Sequence, residues 1–271
     1  MSAEEGDWGI SRELAMRMAS AAVLIPFGLV AVWKGGLALS AVAALCAAAM
    51  AFEWSRMARS QMAVLMIGGV ILANLVHPID ARWALMLLIA AGALASLFDH
   101  LNGRGVSALL GTLYTGGLPL ALQALRTTPD AGFVLAMGIM LLSWSSDTSA
   151  YFVGRQFGGP LLSPQDSPNK TWSGALGAVV GSVIAACIFS HFVGGPLLLW
   201  ALAGVFVSIM AQIGDLFESQ MKRQHGVKDT SGILPGHGGV MDRLDGFGTA
   251  SVAALALTRV IPELPNILAG G

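Results

Sequence analysis

The chain has 271 residues, of which 55% are hydrophobic, and carries a formal net charge of −1 at neutral pH. Only 11% of its residues are Asp, Glu, Lys or Arg, whereas about a quarter is usual in soluble domains. So few charges could not cover a soluble globule of this size, and the mean hydropathy of +0.70 agrees. The composition excludes a soluble enzyme, a disordered chain and a nucleic-acid-binding protein. It predicts an all-α, polytopic integral membrane protein.

Apolar runs along the chain predict nine transmembrane helices. A helix needs about 20 mostly apolar residues to cross the hydrocarbon, and it satisfies its backbone hydrogen bonds internally. The predicted spans cover residues 18–33, 37–52, 62–76, 83–98, 106–125, 132–152, 174–192, 196–216 and 247–261. The fifth of these runs is interrupted by Gly116, Gly117 and Pro119.

The basic residues predict the orientation. With a cytoplasmic N-terminus, eleven of the fifteen Lys and Arg residues fall on the cytoplasmic side and four on the other side or in the last helix. This asymmetry is the positive-inside pattern. It leaves two long cytoplasmic segments, residues 154–173 and 220–245, where we expect the chemistry. We treat the chain as one integrated domain with an N-terminal helical region, residues 1–130, and a C-terminal catalytic region, residues 131–271. The compact length favours a bacterial inner membrane.

Asp147 is a carboxylate inside an apolar run, and such a residue is costly in a membrane. It lies in a hydroxyl-rich patch of the sixth predicted span. An interhelical hydrogen-bonding node is one interpretation, but the number of hydroxyl groups around the acid favours a functional role.

A denser polar group follows the eighth predicted span. On a continuous helix, Asp215, Glu218, Ser219 and Lys222 lie on one face because their spacings are three, four and seven residues. A solvated helix end would look similar. The glycine-rich loop that follows directly favours a functional site instead.

The loop after this helix combines glycines, cations and acids before a predicted helix start at residues 242–245. Glycine lets backbone N–H groups approach an anion closely, and cations in this segment suit phosphates. These cations are Lys222, Arg223, Lys228 and Arg243. Asp215, Asp242 and Asp245 offer the hard oxygen ligands that Mg²⁺ prefers. His237, between glycines, is either a general acid or base or a residue that positions the loop.

Lys170 lies in the other long segment, just before a predicted helix start. A lone loop lysine is usually only solvated. Its hydroxyl-rich neighbours and the adjacent helix N-terminus, which favours anions, indicate a contact with a phosphate.

Three blocks of this sequence resemble the phosphatidate cytidylyltransferases, also called CDP-diacylglycerol synthases. The longest runs without departure over 27 residues. Its characteristic parts are Ser219-Gln220-Met221-Lys222-Arg223, Lys228-Asp229 and Leu234-Pro235-Gly236-His237-Gly238-Gly239-Val240-Met241-Asp242-Arg243-Leu244-Asp245. The two others are Asp147-Thr148-Ser149-Ala150-Tyr151-Phe152-Val153-Gly154 and Ser167-Pro168-Asn169-Lys170-Thr171-Trp172-Ser173-Gly174. That family often has an acidic residue at the position of Ser173, so the function of that acidic residue is not assigned to Ser173.

The resemblance implies a multi-helix membrane enzyme that converts CTP and phosphatidate into CDP-diacylglycerol and pyrophosphate. It further implies Mg²⁺, the use of a second cation such as K⁺, and a homodimer. By position, Asp215 and Asp242 correspond to metal ligands, with Asp245 as a third. Asp215, Asp242, Lys222 and Arg223 are then the expected catalytic residues. The substrate-binding residues are expected to be Asp147, Lys170, Ser219, Lys228, His237 and Arg243.

Three other functions remain open. Buried acids and broken helices also occur in ion-coupled transporters, which place them near mid-membrane in both halves of the chain. Here the acids gather in the C-terminal half. An enzyme acting on another lipid phosphate, such as an archaeal ether lipid, would share the same residues. An inactive homologue is the third alternative, and the intact Asp215, Asp242 and Asp245 argue against it.

Overall fold

The computed structural model describes residues 9–102, 107–234 and 238–271, with side chains from Ala22 onward. Ten helices and one short hairpin make up the described elements. They are α1 (Gly9–Lys34), α2 (Gly36–Met57), α3 (Ala63–Val76), α4 (Ala81–Leu101), α5 (Ser107–Arg126), α6 (Gly132–Phe157), β1 (Leu161–Ser163), β2 (Ser167–Thr171), α7 (Trp172–Val193), α8 (Leu197–Gln224), α9 (Met241–Val260) and α10 (Leu264–Leu268).

Each of the nine predicted spans overlaps one of the helices α1–α9. Within the described residues, six helices are long and apolar enough to cross a membrane: α2, α4, α5, α6, α7 and α8. The segment Ala22–Lys34 of α1 and all of α3 are shorter apolar helices, and α9 carries Asp242, Arg243 and Asp245 in its first turns. The chain is therefore an all-α integral membrane protein, while the total of nine crossings stays a prediction.

Large apolar side chains on the outer faces of the helices agree with a lipid environment. On α7, Leu176, Val180, Ile184 and Ile188 recur every four residues and are all more than half exposed. Such a stripe would be unfavourable in water, because contiguous apolar surface of this kind is rare on soluble proteins.

The interrupted fifth span is one continuous helix, α5, with Pro119 inside it. Its glycines permit close packing and do not break the helix. A Cβ atom on Gly116 would lie 2.3 Å from Leu88 Cδ1 and 2.9 Å from Val70 Cγ1. The interruption in the sequence therefore marks the place where α5 packs closely against α3 and α4.

Two groups of helices meet at α9. Helices α2–α5 pack on one another, as do α6–α8, and α9 contacts α5, α8, α6 and α2. The proposed division near residue 130 lies in the connection between α5 and α6. Because α9 belongs to both groups, its N-terminal turn lies where the two halves of the chain come together.

Side-chain hydrogen bonds gather the predicted cytoplasmic segments at one end of the bundle. Arg223 Nε donates to the Asp166 carbonyl at 3.2 Å, which joins the α8 end to the hairpin. Ser60 Oγ donates to Asp99 Oδ2 at 2.6 Å, which joins the α2–α3 connection to α4. At the opposite end, Arg126 Nε donates to the Val32 carbonyl at 2.7 Å. Each of these contacts joins two segments that sequence analysis placed on the same side of the membrane, and the orientation itself stays a prediction.

The segment 154–173 is more regular than the loop that we predicted. Helix α6 continues to Phe157, and an antiparallel hairpin pairs Leu161 with Thr171 and Ser163 with Ser167. Thr171 then caps α7 by accepting a hydrogen bond from the Gly174 amide at 3.1 Å. The hairpin gives Lys170, on β2, a fixed position beside α8.

Candidate functional site

The polar residues of α8 share one face, as the sequence predicted. Helix α8 is continuous to Gln224, and Lys222 Nζ lies 2.8 Å from Glu218 Oε2, one turn earlier. Glu218 is 1% exposed. This stripe is therefore buried at its centre and is not a solvated helix end.

Three carboxylates converge between α8 and α9. Asp215, Glu218 and Asp245 each place an oxygen within 4.8 Å of the others, and they form the one such group of potential metal ligands among the described residues. We call them the carboxylate cluster. Glu218 and Asp245 are buried, whereas Asp215 is partly exposed.

Small residues allow α8 and α9 to approach closely enough to form this cluster. A Cβ atom on Gly214 would lie 2.4 Å from Thr249 Oγ1 and 2.7 Å from the Asp245 carbonyl oxygen. A Cβ atom on Gly246 would lie 2.9 Å from the Ala211 carbonyl oxygen. Each glycine directly neighbours a member of the cluster in the sequence, so this close approach brings Asp215 and Asp245 together.

The electrostatics of the cluster favour a cation. Burial raises the pKa of Asp245 well above its usual range, and the Glu218 and Asp215 carboxylates add to that effect. Glu218 Oε1 is buried and has no hydrogen-bond partner among the described residues. A buried carboxylate that has one unpartnered oxygen and lies within 4.8 Å of two further carboxylates fits a hard divalent ion, since Mg²⁺ takes oxygen ligands. The residues present therefore fit the Mg²⁺ that the sequence analysis expected.

Asp242 lies next to the cluster but has other partners. Its Oδ1 accepts a hydrogen bond from Lys222 Nζ at 2.6 Å, and its Oδ2 accepts from the Gly239 amide at 2.9 Å and from Thr230 Oγ1 at 2.8 Å. Burial alone would raise the pKa of Asp242, but Lys222 and the hydrogen bonds outweigh burial and lower that pKa to about 2. The assignment of Asp242 as a metal ligand stays a prediction, while its observed contacts hold the loop and Lys222.

The predicted phosphate-binding cations occupy different surroundings. Lys170 forms an ion pair with Asp215, which brings the hairpin to the carboxylate cluster. Lys222 bridges Glu218 and Asp242 and is 12% exposed. Arg223 is exposed and donates to the carbonyls of Asp166 and Val227. Lys228 and Arg243 are exposed at the same end of the bundle.

Asp147 is exposed on α6. Asp215, Lys170 and Arg243 lie close enough to interact with it electrostatically. The alternative interpretation of Asp147 was an interhelical hydrogen-bonding node. Its neighbour Ser146 forms such a node, because Ser146 Oγ and Ser208 Oγ share a hydrogen bond of 2.8 Å.

Ser219, another predicted substrate-binding residue, is buried beside Glu218. His237 lies outside the described residues, so its predicted role stays a prediction.

Sequence analysis missed three residues of this region. Glu218 was seen in the stripe but given no role, Tyr114 was not considered, and Glu53 lies just beyond the predicted second span. The Tyr114 hydroxyl is buried with no hydrogen-bond partner among the described residues, and the ring lies between those of Trp54 and Phe217. Glu53 is fully buried and contacts the loop that precedes α9. A charged residue beside an apolar run is costly in a membrane. This argument, which singled out Asp147, could also have identified Glu53.

Comparison with known proteins agrees with these features. A model of the cytidylyltransferase family matches residues 15–261. A phosphatidate cytidylyltransferase of Brucella abortus biovar 1 (strain 9-941) is 36% identical over 269 residues, covering 94% of this chain and 96% of that protein. Proteins of the same name from Haemophilus influenzae and Bacillus subtilis are 39% and 40% identical over 144 and 125 residues. These shorter matches cover 50% and 45% of this chain, and 49% and 46% of the respective proteins. The chain therefore belongs to the cytidylyltransferase family.

Proposed function

We propose that this protein transfers CMP from CTP to phosphatidate, releasing pyrophosphate and forming CDP-diacylglycerol for phospholipid synthesis. Its relatives over nearly the whole chain are named phosphatidate cytidylyltransferases. The structural observation that carries the proposal is the carboxylate cluster with Lys170 beside it, at one end of a bundle of membrane helices.

The reaction requires little acid–base chemistry. A phosphate oxygen of phosphatidate forms a bond to the α-phosphorus of CTP, and the bond from that phosphorus to the bridging oxygen breaks. Pyrophosphate leaves with the electron pair. Since the nucleophile is already an anion, positioning and neutralisation of charge account for most of the catalysis.

We place Mg²⁺ on Asp215, Glu218 and Asp245. This set keeps Asp215 and Asp245 from the sequence-based assignment and includes Glu218, whose second carboxylate oxygen has no other described partner. Asp242 would instead hold Lys222 and the loop before α9. Bound there, Mg²⁺ supplies positive charge to the phosphates of CTP. A second cation such as K⁺ stays a prediction.

The cations around the cluster divide into two groups. Lys222 is bonded to two carboxylates and is nearly buried, so it offsets the negative charge of α8 and α9. Arg223, Lys228 and Arg243 are exposed, whereas the Lys170 side chain is partly exposed and its Nζ is buried against Asp215. They are the residues that we expect to bind phosphates, with Lys170 exchanging Asp215 for a phosphate oxygen when CTP binds.

The lipid substrate explains why the site lies at the end of a membrane bundle. Its diacyl chains can stay in the bilayer while the headgroup reaches the cluster. Asp147, exposed on α6 and near Lys170 and Arg243, would line this entry. The excess of basic residues at this end supports a cytoplasmic site in a bacterial inner membrane with the N-terminus inside. A homodimer is also expected from the resemblance.

Purified protein supplied with labelled CTP, phosphatidate and Mg²⁺ tests the proposal directly. We expect a CDP-lipid and pyrophosphate in equal amounts, with neither formed after chelation of the metal. Folded protein that forms neither product, beside an active control enzyme, would overturn the proposal.

A further inference from the structure

Glu53 is a fully buried carboxylate on α2, far in sequence from the site residues. It lies at 0% exposure, and all four of its described hydrogen-bond donors come from the segment 230–241. Ser231 Oγ donates to Oε1 at 2.5 Å and the Val240 amide donates to Oε1 at 2.9 Å. The Met241 amide donates to Oε2 at 2.8 Å and Thr230 Oγ1 lies 3.2 Å from the same oxygen.

These contacts place the Glu53 charge at the beginning of α9. Val240 is the N-cap residue of α9 and Met241 is its first residue. The amides at a helix N-terminus have no partner within the helix and carry partial positive charge. The cap residue Val240 makes no side-chain cap hydrogen bond. Glu53 takes over this role from a different helix by accepting hydrogen bonds from two of these amides.

The loop backbone packs directly against this carboxylate. A Cβ atom on Gly239 would lie 2.8 Å from both Glu53 oxygens and 2.0 Å from Thr230 Oγ1. Only glycine permits this contact. The Gly239 amide in turn donates to Asp242 Oδ2 at 2.9 Å, so the loop is held between Glu53 on one side and Asp242 on the other.

Thr230 connects the two carboxylates. Its hydroxyl lies 2.8 Å from Asp242 Oδ2 and 3.2 Å from Glu53 Oε2. One hydroxyl has a single proton to donate, so it is shared between them, and the shorter contact is to Asp242. A change in the charge at position 53 therefore reaches Asp242 through one side chain.

We propose that Glu53 is a positioning residue that fixes the loop before α9 and the first turn of α9, and through them the orientation of Asp242 and Asp245. The proposal rests on the proposed function for its effect on catalysis. Glu53 touches none of the cluster residues through a described hydrogen bond, so its action is indirect. A buried carboxylate is costly unless its hydrogen bonds are complete, and here they are supplied by the catalytic segment of the other half of the chain.

The test compares Glu53→Gln with Glu53→Asp and with the matched control Asp99→Asn. Asp99 is another buried carboxylate, 1% exposed, but it accepts from Ser60 and Gln61 in the α2–α3 connection. Three quantities are measured on purified protein: the amide hydrogen exchange of Val240 and Met241 without substrate, the kcat and KM for CTP, and the melting temperature.

In Glu53→Gln an NH₂ group replaces one acceptor and faces a backbone donor. We expect Val240 and Met241 to lose their protection from exchange and kcat to fall about 10- to 100-fold, the range found for residues that orient metal ligands. Glu53→Asp, which keeps the charge, should recover part of kcat. Asp99→Asn should lower the melting temperature while leaving kcat per folded molecule and the exchange at Val240 unchanged.

Normal protection of Val240 and Met241 in Glu53→Gln would overturn the proposal. So would loss of activity that only parallels loss of folded protein, with no difference from Asp99→Asn. If the unchanged protein makes no CDP-lipid, the proposed function fails. The exchange measurement without substrate then still decides whether Glu53 fixes the loop.

Discussion

Two buried glutamates at the same end of the bundle have opposite surroundings. Glu53 on α2 accepts hydrogen bonds on both carboxylate oxygens, all from the segment that leads into α9. Glu218 on α8 pairs one oxygen with Lys222 at 2.8 Å, while its other oxygen is buried without a described partner. Residue type and burial are the same, so the surroundings determine the role. A carboxylate whose oxygens accept from backbone amides and hydroxyl groups of one loop holds that loop. A carboxylate with an unpartnered oxygen, close to other carboxylates, suits a cation.

Charge balance separates the two regions further. Around Glu53 the compensation comes from neutral donors and the N-terminus of α9. Around Glu218 three carboxylates lie within 4.8 Å of one another, an arrangement that is unfavourable unless cations offset it. Lys170 pairs with Asp215 and Lys222 pairs with Glu218, so the two lysines supply two positive charges to the cluster. We therefore expect the cluster to be stabilised by a bound cation, whereas the Glu53 region needs none.

The largest expected effect comes from removing a charge from the cluster. Asp215→Asn should reduce the turnover of CTP at least about 100-fold, comparable with removing one group that stabilises developing charge, and the protein should remain folded because Asp215 is partly exposed. A CDP-lipid assay and a melting curve measure the two effects. Asp80→Asn, at the start of α4 and at the opposite end of the bundle, should leave turnover unchanged. Substantial activity in Asp215→Asn would contradict the metal assignment.

Glu218→Gln tests which glutamate serves the metal. Loss of this ligand should raise the Mg²⁺ concentration for half-maximal activity about 10- to 100-fold, and saturating Mg²⁺ should restore much of the rate. The measurement is a Mg²⁺ titration of activity. Glu53→Gln is the informative comparison, since it should lower kcat without an equal shift in the Mg²⁺ dependence. Equal shifts of the Mg²⁺ dependence in both variants would contradict the assignment of Glu218 as a metal ligand and of Glu53 as a positioning residue.

Gly214→Ala should separate α8 from α9. Its Cβ would lie 2.4 Å from Thr249 Oγ1, and overpacking of this kind costs about 1–3 kcal/mol. We expect a lower melting temperature together with a weaker response to Mg²⁺, because Asp215 and Asp245 move apart. Gly68→Ala on α3 is the control, since nothing lies within 4 Å of the added methyl group. If both variants behave alike, close packing at Gly214 does not form the cluster.

Ser208→Ala should have the smallest effect. It removes the 2.8 Å hydrogen bond between Ser146 and Ser208 and the 3.2 Å hydrogen bond that Gln212 Nε2 donates to Ser208 Oγ, each worth about 1 kcal/mol. It leaves the carboxylate cluster and the Glu53 contacts in place. A slightly lower melting temperature with unchanged kcat is the expected outcome. A large loss of activity would mean that the α6–α8 contact beside Asp147 takes part in the reaction.

Local sequence patterns predicted much of the architecture. Each predicted span overlaps a helix, because a membrane helix is specified by a long apolar run that needs no distant partner. The stripe on α8 and the helix start near Asp242 follow from spacing alone. The hairpin at residues 161–171 was missed, since its two short strands are stabilised by each other and by the neighbouring helices.

The membrane class, the helices, the polar segments and the family likeness were determined by the sequence itself, because each depends on composition or on residues close together in the chain. Only the tertiary structure decided which acids converge. It brought Asp245 of α9 to Asp215 and Glu218 of α8, and it placed Asp242 against Lys222 and the loop before α9. It also brought Glu53 from the other half of the chain to the start of α9. Spacing within one helix cannot specify such contacts, because they depend on how closely α2, α8 and α9 pack.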